Sequence, residues 1–324
     1  MTAFELTRLL PADHFAQALR ADVRQGLTAP AKWLPPKWFY DKRGSELFED
    51  ITRLPEYYPT RAERAILTER AKEIASVTRA RTLVELGSGS SEKTRLLLDA
   101  LQSLGTLESY VPVDVSESAL REAGRQLATE YPALAIHGVV SDFTARLGLP
   151  RAVQAPRLVA FLGGTLGNLL PEERARFLTA LRADLAPGDA LLLGTDLVKD
   201  PAVLVAAYDD AAGVTAEFNK NVLNVLDREL QAGFDPEAFE HVARWDAEQE
   251  WIEMRLRSRR AQRVSVAALG LEVDFAEGEE LRTEISAKFR RDKVAAELAD
   301  ASFALRHWWT DPEGRFGLSL AEPV

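Results

Sequence analysis

The sequence predicts an α/β fold with a mostly parallel central sheet, and three observations support this. The 324 residues are 46% hydrophobic and 28% charged, a composition typical of a globular protein with a full core. Short apolar runs alternate with amphipathic stretches along the middle of the chain, as they do in β-α-β units. Near the C-terminus, two apolar runs flank an Asp-Pro-Glu-Gly turn, which predicts an antiparallel hairpin that finishes the sheet.

The part of the chain before this alternating pattern is predicted as helix and loop. Apolar residues recur at helical spacing over residues 14–26. Residues 34–63 are rich in proline and aromatic residues, which predicts mostly loop with short helical pieces. This segment ends in Thr60-Arg-Ala-Glu63, a capping-box pattern that predicts a helix from there to about Ser76.

The middle of the chain supplies the elements of the predicted sheet. Five apolar runs are predicted as strands, at residues 82–86, 110–115, 135–140, 158–162 and 190–195. Three helices are predicted between them, at residues 92–104, 117–129 and 172–185. Pro171 stands where the last of these helices begins, a position that suits proline.

The last third of the chain changes pattern. Residues 200–247 are predicted as helices, with Phe218, Val222 and Leu226 forming one apolar stripe. Two alternating runs at 251–256 and 261–266 are predicted to pair as antiparallel strands.

The predicted elements indicate two domains. A helix at 291–301 precedes the C-terminal strands, which are predicted at 303–309 and 315–320. The sheet-containing core is therefore assigned to residues 61–198 and 287–324. A second domain is assigned to residues 1–60 and 199–286.

Composition excludes several classes of chemistry. The chain has no cysteine, so disulfides, thiolate nucleophiles and iron–sulfur clusters are excluded. A net charge of −10 counts against nucleic acid or an anionic membrane as a partner. No apolar run approaches the ~20 residues that span a bilayer, and the acid-containing N-terminus lacks an apolar signal region, so we expect a cytoplasmic protein. The four histidines, which follow no metal-ligand spacing, predict no metal dependence.

A nucleotide-type signal follows the first strand of the predicted sheet. Glu85 to Gly89 has the form E-x-G-x-G, in which a glycine turn allows close approach of a ligand to the backbone. The dinucleotide fingerprint fails because Glu92 occupies its third glycine position. Asp114 and Asp142 end the next two strands, where carboxylates suit the hydroxyls and amine of an adenosine. This order favours S-adenosylmethionine, although both acids could instead be helix caps.

Several longer motifs carry a family resemblance. They are LPPKWFYDKRGSELF at 34–48, ITRLPEYYPT at 51–60, LVELGSG at 83–89, LGTDLVKD at 193–200, AYDDAAGVT at 207–215 and HWWTDP at 307–312. Together they resemble the histidine-specific, S-adenosylmethionine-dependent methyltransferase family, and the resemblance covers essentially the whole chain. It implies three methyl transfers to the α-amino group of free L-histidine, which give hercynine in ergothioneine biosynthesis.

The resemblance also implies a fold, an assembly state and a set of site residues. The fold would be a Rossmann-like class I methyltransferase core with a seven-stranded, mostly parallel sheet and a terminal antiparallel hairpin, plus a smaller α+β substrate-binding domain. The protein would be a monomer that uses S-adenosyl-L-methionine and no metal. Cofactor contacts would fall on Tyr40, which would also position the amine, and on Gly87, Lys93, Asp114, Asp142 and Phe143. Substrate contacts would fall on Tyr57, Gly163, Asn168, Tyr208, Met254, Glu284 and Ser286.

The residue types in this set suit the implied chemistry. Glu284 and Ser286 would share one face of an extended segment, which suits an imidazole ring with two different nitrogens, although an ordinary polar strand face has the same pattern. Asn168 and Tyr208 can donate to a carboxylate, although asparagine among glycines is also a common turn former. The aromatic rings of the proline-rich segment suit a sulfonium or quaternary ammonium cation, or simply pack.

Two other functions remain open from the residues alone. The substrate could be another aromatic amino acid or a small amine. A tryptophan or phenylalanine side chain would then leave a buried Glu284 carboxylate without a partner, so this residue favours histidine. The chain could also bind S-adenosylmethionine without turnover.

Overall fold

The computed structural model describes residues 4–11, 13–89, 91–142 and 153–324. Its helices are α1 His14–Leu27, α2 Lys42–Arg53, α3 Pro59–Thr78, α4 Thr94–Leu104, α5 Glu117–Glu130, α6 Pro171–Asp184, α7 Pro201–Tyr208, α8 Val214–Leu230 and α9 Arg291–Asp300. Its strands are β1 Glu5–Arg8, β2 Thr82–Leu86, β3 Ser109–Asp114, β4 Ala135–Val140, β5 Arg157–Phe161, β6 Ala190–Asp196, β7 Phe239–Asp246, β8 Trp251–Ser258, β9 Gln262–Val266, β10 Leu271–Phe275, β11 Glu280–Ala287, β12 Phe303–Thr310 and β13 Phe316–Pro323.

The chain folds into two compact units, each built from separate stretches of sequence. The first unit contains Met1–Pro11, Pro59–Leu197 and Phe289–Val324. The second contains Ala12–Tyr58 and Val198–Lys288. The N-terminal residues therefore belong with the sheet-containing unit and not, as the sequence analysis assigned them, with the second domain.

The first unit is organised around one large sheet. Its strand order is β1-β4-β3-β2-β5-β6-β13-β12. The strands from β1 to β6 pair in parallel, whereas β13 pairs antiparallel with both β6 and β12. Every residue of β2 and of β6 is buried, as expected for strands covered on both faces. The predicted mostly parallel sheet with a C-terminal antiparallel hairpin is confirmed.

The sheet has eight strands among the described residues, one more than the seven predicted. The additional strand is β1, which pairs in parallel with β4 from Glu5↔His137 to Arg8↔Val140. It is a four-residue edge strand in which no position is fully buried. A segment this short has too few residues for the alternation that identifies a strand in sequence, so only its pairing with β4 reveals it.

Within its described residues, the second unit combines the α-helices α1, α2, α7 and α8 with two small antiparallel sheets. One sheet has the order β11-β8-β7 and the other pairs β10 with β9. Helix α8 buries the predicted stripe of Phe218, Val222 and Leu226. Two predictions are wrong: residues 239–246 form strand β7 and not helix, and the runs at 251–256 and 261–266 do not pair with each other. Strand β8 instead has β7 and β11 as neighbours, which cover both of its edges.

Among the described residues, no helix is both long enough and apolar enough to cross a membrane.

Candidate active site

The turn after β2 leaves its backbone open on one side. Gly87 and Gly89 have φ values of 65° and 48°, in the left-handed region that favours glycine. A Cβ atom on Gly89 would meet no other atom within 4 Å, so there is free space beside the turn. The Gly87 N–H donates to the Val113 carbonyl at 2.8 Å, which fixes the turn against β3. This geometry allows a ligand to approach the backbone closely.

Asp114, at the end of β3, lies against this turn. Its carboxylate accepts hydrogen bonds from the backbone N–H groups of Gly89 at 3.2 Å and Ser116 at 2.9 Å. Burial raises the pKa of Asp114 above its ordinary value, although the backbone hydrogen bonds oppose this. Helix α5 is capped by Ser116, whose hydroxyl accepts from the Ala119 N–H. The alternative that Asp114 is the helix cap is therefore wrong.

The next strand end carries the other predicted adenosine contacts. Strands β2, β3 and β4 are parallel neighbours, so their carboxyl ends lie at one edge of the sheet. Asp142 follows β4 at this edge and is half-buried. The predicted contact Phe143 lies outside the described residues.

A buried hydrogen-bond network joins the residues on either side of the glycine turn. The Glu85 carboxylate, at the end of β2, accepts from the hydroxyls of Thr94 and Tyr110. The Tyr110 hydroxyl also lies 3.0 Å from the Ser91 hydroxyl. Burial raises the pKa of Glu85 to about 7 and raises the pKa of Tyr110. These contacts join β2, β3 and the start of α4, and so hold the residues around the turn in place.

Glu63 is a functional candidate that the sequence analysis missed. The sequence predicts it as the acid of a capping box, but its side chain is fully buried and bonds elsewhere. Its carboxylate accepts from the Gly163 N–H at 2.8 and 3.0 Å and forms an ion pair with Lys93. Lys93 and Gly163 are a predicted cofactor residue and a predicted substrate residue. The burial of this glutamate in the second turn of α3 was the missing information, and the sequence does not carry it.

The loop after β5 contains the two predicted substrate residues of the first unit. Gly163 has φ +78° and Gly164 has φ +72°, so the chain reverses sharply there. A short 3-10 helix, Thr165–Asn168, follows this reversal. Asn168 is its last residue and is half-buried.

In the second unit, the predicted aromatic residues form a continuous cluster. The Phe48 ring centroid lies 5.6 Å from that of Tyr40 and 6.1 Å from that of Tyr57. The Tyr57 centroid lies 6.3 Å from that of Tyr208, and Phe218 packs against Tyr40 and Phe48. Most of these pairs are edge-to-face, an arrangement that aromatic pairs prefer.

Tyr208 and Ser286 meet at a buried lysine that the sequence analysis did not identify. The two hydroxyl oxygens lie 2.7 Å apart. Lys288, fully buried, donates to the Tyr208 hydroxyl at 2.9 Å and to the Ser286 hydroxyl at 2.8 Å. Because an ammonium group only donates, both hydroxyl oxygens act as acceptors toward it. One of the two hydroxyls donates its proton to the other.

Glu284 and Met254 lie directly opposite each other on neighbouring strands. The register of β11 and β8 pairs Glu284 with Met254 and Ser286 with Ile252, so Glu284 and Ser286 share a face of the sheet. A β-bulge at Thr283 interrupts the alternation, because Arg282 pairs with Arg255. Glu284 therefore lies on the opposite face from Arg282.

A second missed group ties this bulge to Tyr208. The Thr283 hydroxyl lies 2.6 Å from Asn219 Oδ1, and Asn219 Nδ2 lies 2.8 Å from His241 Nδ1. His241 Nε2 in turn lies 2.8 Å from the Tyr208 carbonyl. These contacts assign the ring proton to Nε2. This buried chain of hydrogen bonds, called the relay below, thus joins β11, α8, β7 and α7. These four elements carry or adjoin predicted substrate residues.

The structure groups the predicted site residues separately within each unit. In the first unit, Gly87, Lys93, Asp114 and Gly163 gather at the carboxyl edge of the sheet. In the second unit, Tyr208 belongs both to the aromatic cluster and to the hydrogen-bonded group that it forms with Ser286 and Lys288. Ser286 also shares its face of the sheet with Glu284. In the part of the chain that the structure describes, no three His, Asp or Glu side chains are grouped to hold a metal ion.

The fold and the first-unit site define a class of protein. A parallel sheet finished by an antiparallel strand pair, a glycine turn after its central strand and a carboxylate ending the neighbouring strand characterise a Rossmann-like S-adenosylmethionine-dependent methyltransferase. The residues present fit that ligand, because the open turn and Asp114 can receive an uncharged ribose without a phosphate-binding third glycine.

Comparison with known proteins specifies the family. The chain belongs to the histidine-specific, SAM-dependent methyltransferases, whose family model matches residues 19–323. It is 60% identical to the histidine N-alpha-methyltransferase of Mycolicibacterium smegmatis, over 98% of both chains. It is 57% identical to the protein of that name from Mycobacterium tuberculosis, over 97% of this chain and 99% of that one. The ergothioneine biosynthesis protein 1 of Neurospora crassa is 36% identical, over 59% of this chain and 22% of that protein.

Proposed function

We propose that the protein transfers three methyl groups from S-adenosylmethionine to the α-amino group of L-histidine, giving hercynine for ergothioneine biosynthesis. The family supports histidine as substrate, and the names of the relatives support the α-amino group and the pathway. The structural observation that carries the proposal is the shared face of Glu284 and Ser286 beside Met254. A carboxylate that accepts and a hydroxyl that donates match an imidazole with one N–H and one bare nitrogen.

The cofactor roles are proposed from the family resemblance, and the glycine turn and Asp114 of the first unit support them. We assign the adenosine to the glycine turn at Gly87, with the Asp114 carboxylate accepting from the ribose hydroxyls. Asp142 and Phe143 are assigned to the adenine, and Lys93 and Tyr40 complete the proposed cofactor contacts. When bound, S-adenosylmethionine supplies an electrophilic methyl group on a sulfonium centre.

The chain's own task is alignment and exclusion of water. The attacking α-amine must lose a proton before each transfer, and the final product is a quaternary ammonium. The aromatic cluster of the second unit suits both cations, because ring faces attract a cation most strongly where water is excluded. Tyr40 lies at one end of this cluster and is 43% exposed, so it is open to a ligand and suited to position the amine.

Two groups are assigned to the rest of the substrate. Asn168 and Tyr208 are assigned to the carboxylate, and Glu284 and Ser286 are assigned to the imidazole nitrogens. Gly163, Tyr57 and Met254 are the remaining proposed substrate contacts. Lys288 supports this assignment, because it donates to the hydroxyl oxygens of both Tyr208 and Ser286 and so fixes their positions.

We further propose that the protein acts in the cytoplasm as a monomer on small molecules alone. S-adenosylmethionine and free amino acids are metabolites of that compartment. The net charge of −10 disfavours nucleic acid as a substrate because phosphates would be repelled.

The test is a competition among substrates. Purified protein is incubated with S-adenosylmethionine and an equimolar mixture of the twenty amino acids, and the products are identified by mass. The expected result is a gain of three methylene masses on histidine alone. Methylation of another amino acid, or of histidine only once, would contradict the proposal, and binding of S-adenosylmethionine without any product would indicate a non-catalytic protein.

A further inference from the structure

Glu63 holds two loops of the first unit with one carboxylate. Its side chain is 0% exposed, and its two oxygens lie 2.8 and 3.0 Å from the Gly163 backbone nitrogen. The same carboxylate forms an ion pair with Lys93. Lys93 precedes α4 in the loop after β2, and Gly163 stands in the loop after β5. Because β2 and β5 are parallel neighbours, both loops leave the same edge of the sheet.

The position of this carboxylate is fixed from a third side. A Cβ atom on Gly194 of β6 would lie 2.1 Å from Glu63 Oε1, so only glycine leaves room for the carboxylate there. Charge-assisted hydrogen bonds are stronger than neutral ones, and a buried carboxylate that loses its partner is strongly destabilised. Movement of either loop away from Glu63 is therefore costly, and the two loops are held to one shared arrangement.

We propose that Glu63 couples the binding of S-adenosylmethionine to the binding of the amino-acid substrate. This inference rests on the proposed function, in which Lys93 contacts the cofactor and Gly163 contacts histidine. A ligand that orders the Lys93 loop also orders the Gly163 loop through the shared carboxylate. The protein then loses less conformational entropy when the second ligand binds. Glu63 acts here as a positioning residue, and the coupling must be equal in both directions.

The experiment is a thermodynamic box measured by calorimetry. L-histidine is titrated into the protein with and without saturating S-adenosylhomocysteine, which cannot transfer a methyl group, and the reverse titration is done with histidine present. For the wild type, we expect each ligand to tighten the other by about tenfold, within the range typical of coupled sites. In Glu63→Gln the factor should fall below about threefold, because glutamine can still accept from Gly163 but has no charge for Lys93.

Two further variants make the result specific. Glu69→Gln is the matched control, because it is the same substitution on the same helix at an exposed residue whose ion pair is with Arg70; it should keep the wild-type factor. Gly194→Ala keeps the glutamate and its charge, but its added methyl group displaces the Glu63 carboxylate. It should lower the coupling factor as Glu63→Gln does, and it tests the inference even if Glu63→Gln folds poorly.

The possible outcomes separate the inference from the proposed function. An unchanged coupling factor in Glu63→Gln, or lower affinity for both ligands with the same factor, would overturn the inference and assign Glu63 a structural role only. A wild type that binds histidine without coupling would also overturn it and would leave the proposed function standing. A wild type that binds S-adenosylhomocysteine but no histidine would overturn both.

Discussion

Glu284 of β11 lies directly opposite Met254 of β8, on the face of the sheet that does not carry the arginines. In a regular strand, Glu284 would share a face with Arg282, two residues earlier. The extra residue at the β-bulge shifts this alternation, so Glu280 remains with Arg255 and Arg257 as ion-pair partners while Glu284 does not share their face. The bulge therefore separates two glutamates of one strand into a structural role and a proposed binding role.

Substitution of Glu284 tests the proposed imidazole contact. We expect Glu284→Ala to raise the KM for histidine by about 10- to 100-fold, because a hydrogen bond to a charged group contributes about 1.5–3 kcal/mol. The Kd for S-adenosylmethionine should not change. Steady-state kinetics and calorimetry on the same preparation measure the two quantities.

Glu280→Ala is the matched control for this variant. It removes a carboxylate from the same strand, but on the arginine face, where Glu280 bonds Arg255 and Arg257. A small loss of stability without a change in histidine KM is expected. Equal effects of the two substitutions on KM would show that Glu284 acts only through the stability of the sheet.

Local patterns predicted much of the first unit. Strands β2 and β4 have the predicted bounds, because each is an apolar run ended by a glycine, a serine or a charged residue. Proline at the start of α6 also marks that boundary correctly. In such α/β segments the alternation of elements repeats along the chain, and the order of elements is enough to predict the parallel sheet.

The features that were missed depend on contacts between distant residues. Residues 239–246 form a strand because β8 offers an edge to pair with, and tertiary pairing decides between helix and strand in such a segment. The function of Glu63 depends on Gly163, a hundred residues later. The bulge at Thr283 is equally invisible in sequence, because the pattern of the surrounding residues is compatible with a regular strand.

The Thr283 hydroxyl offers a second test, of the relay that supports the bulge. We expect Thr283→Val to lower the free energy of unfolding by about 1–3 kcal/mol, because the buried Asn219 oxygen loses its hydrogen-bond donor. The histidine KM should rise as well, since Glu284 follows Thr283 directly. Denaturant titration and kinetics measure these effects.

Thr283→Ser provides the rescue, because it keeps the hydroxyl and removes only a methyl group. It should bring the histidine KM back close to the wild-type value. A serine variant as impaired as the valine variant would show that the methyl group, and not the hydrogen bond to Asn219, supports the site.

Lys288 offers a third test. We expect Lys288→Met to lower kcat/KM for histidine by about tenfold or more, because the hydroxyls of Tyr208 and Ser286 lose the charged donor that fixes their positions. Lys199→Met is the control, since Lys199 Nζ contacts a tyrosine hydroxyl of the same unit, that of Tyr58 at 2.6 Å, which has no proposed substrate role. A comparable loss in both variants would contradict the assignment of Lys288.

His241 gives a prediction about pH. Burial lowers the pKa of His241 below its ordinary value of 6.5, although Asp209 and Asp210 act in the opposite direction. The Asn219 amide also donates to Nδ1 of His241. A proton on Nδ1 would therefore point at the N–H of Asn219 and remove this hydrogen bond. As pH falls through about 6.5, the unfolded chain takes up a proton at this residue that the folded protein resists, and the folded state loses stability.

We therefore expect the stability difference between wild type and His241→Gln to depend on pH. Glutamine can occupy the relay but does not titrate, so the wild-type free energy of unfolding should fall more than that of the variant between about pH 7.5 and about pH 5.5. Urea denaturation at the two pH values measures this difference. Equal losses in the two proteins would show that the acid sensitivity arises at other groups and that His241 keeps the same protonation in the folded and unfolded states.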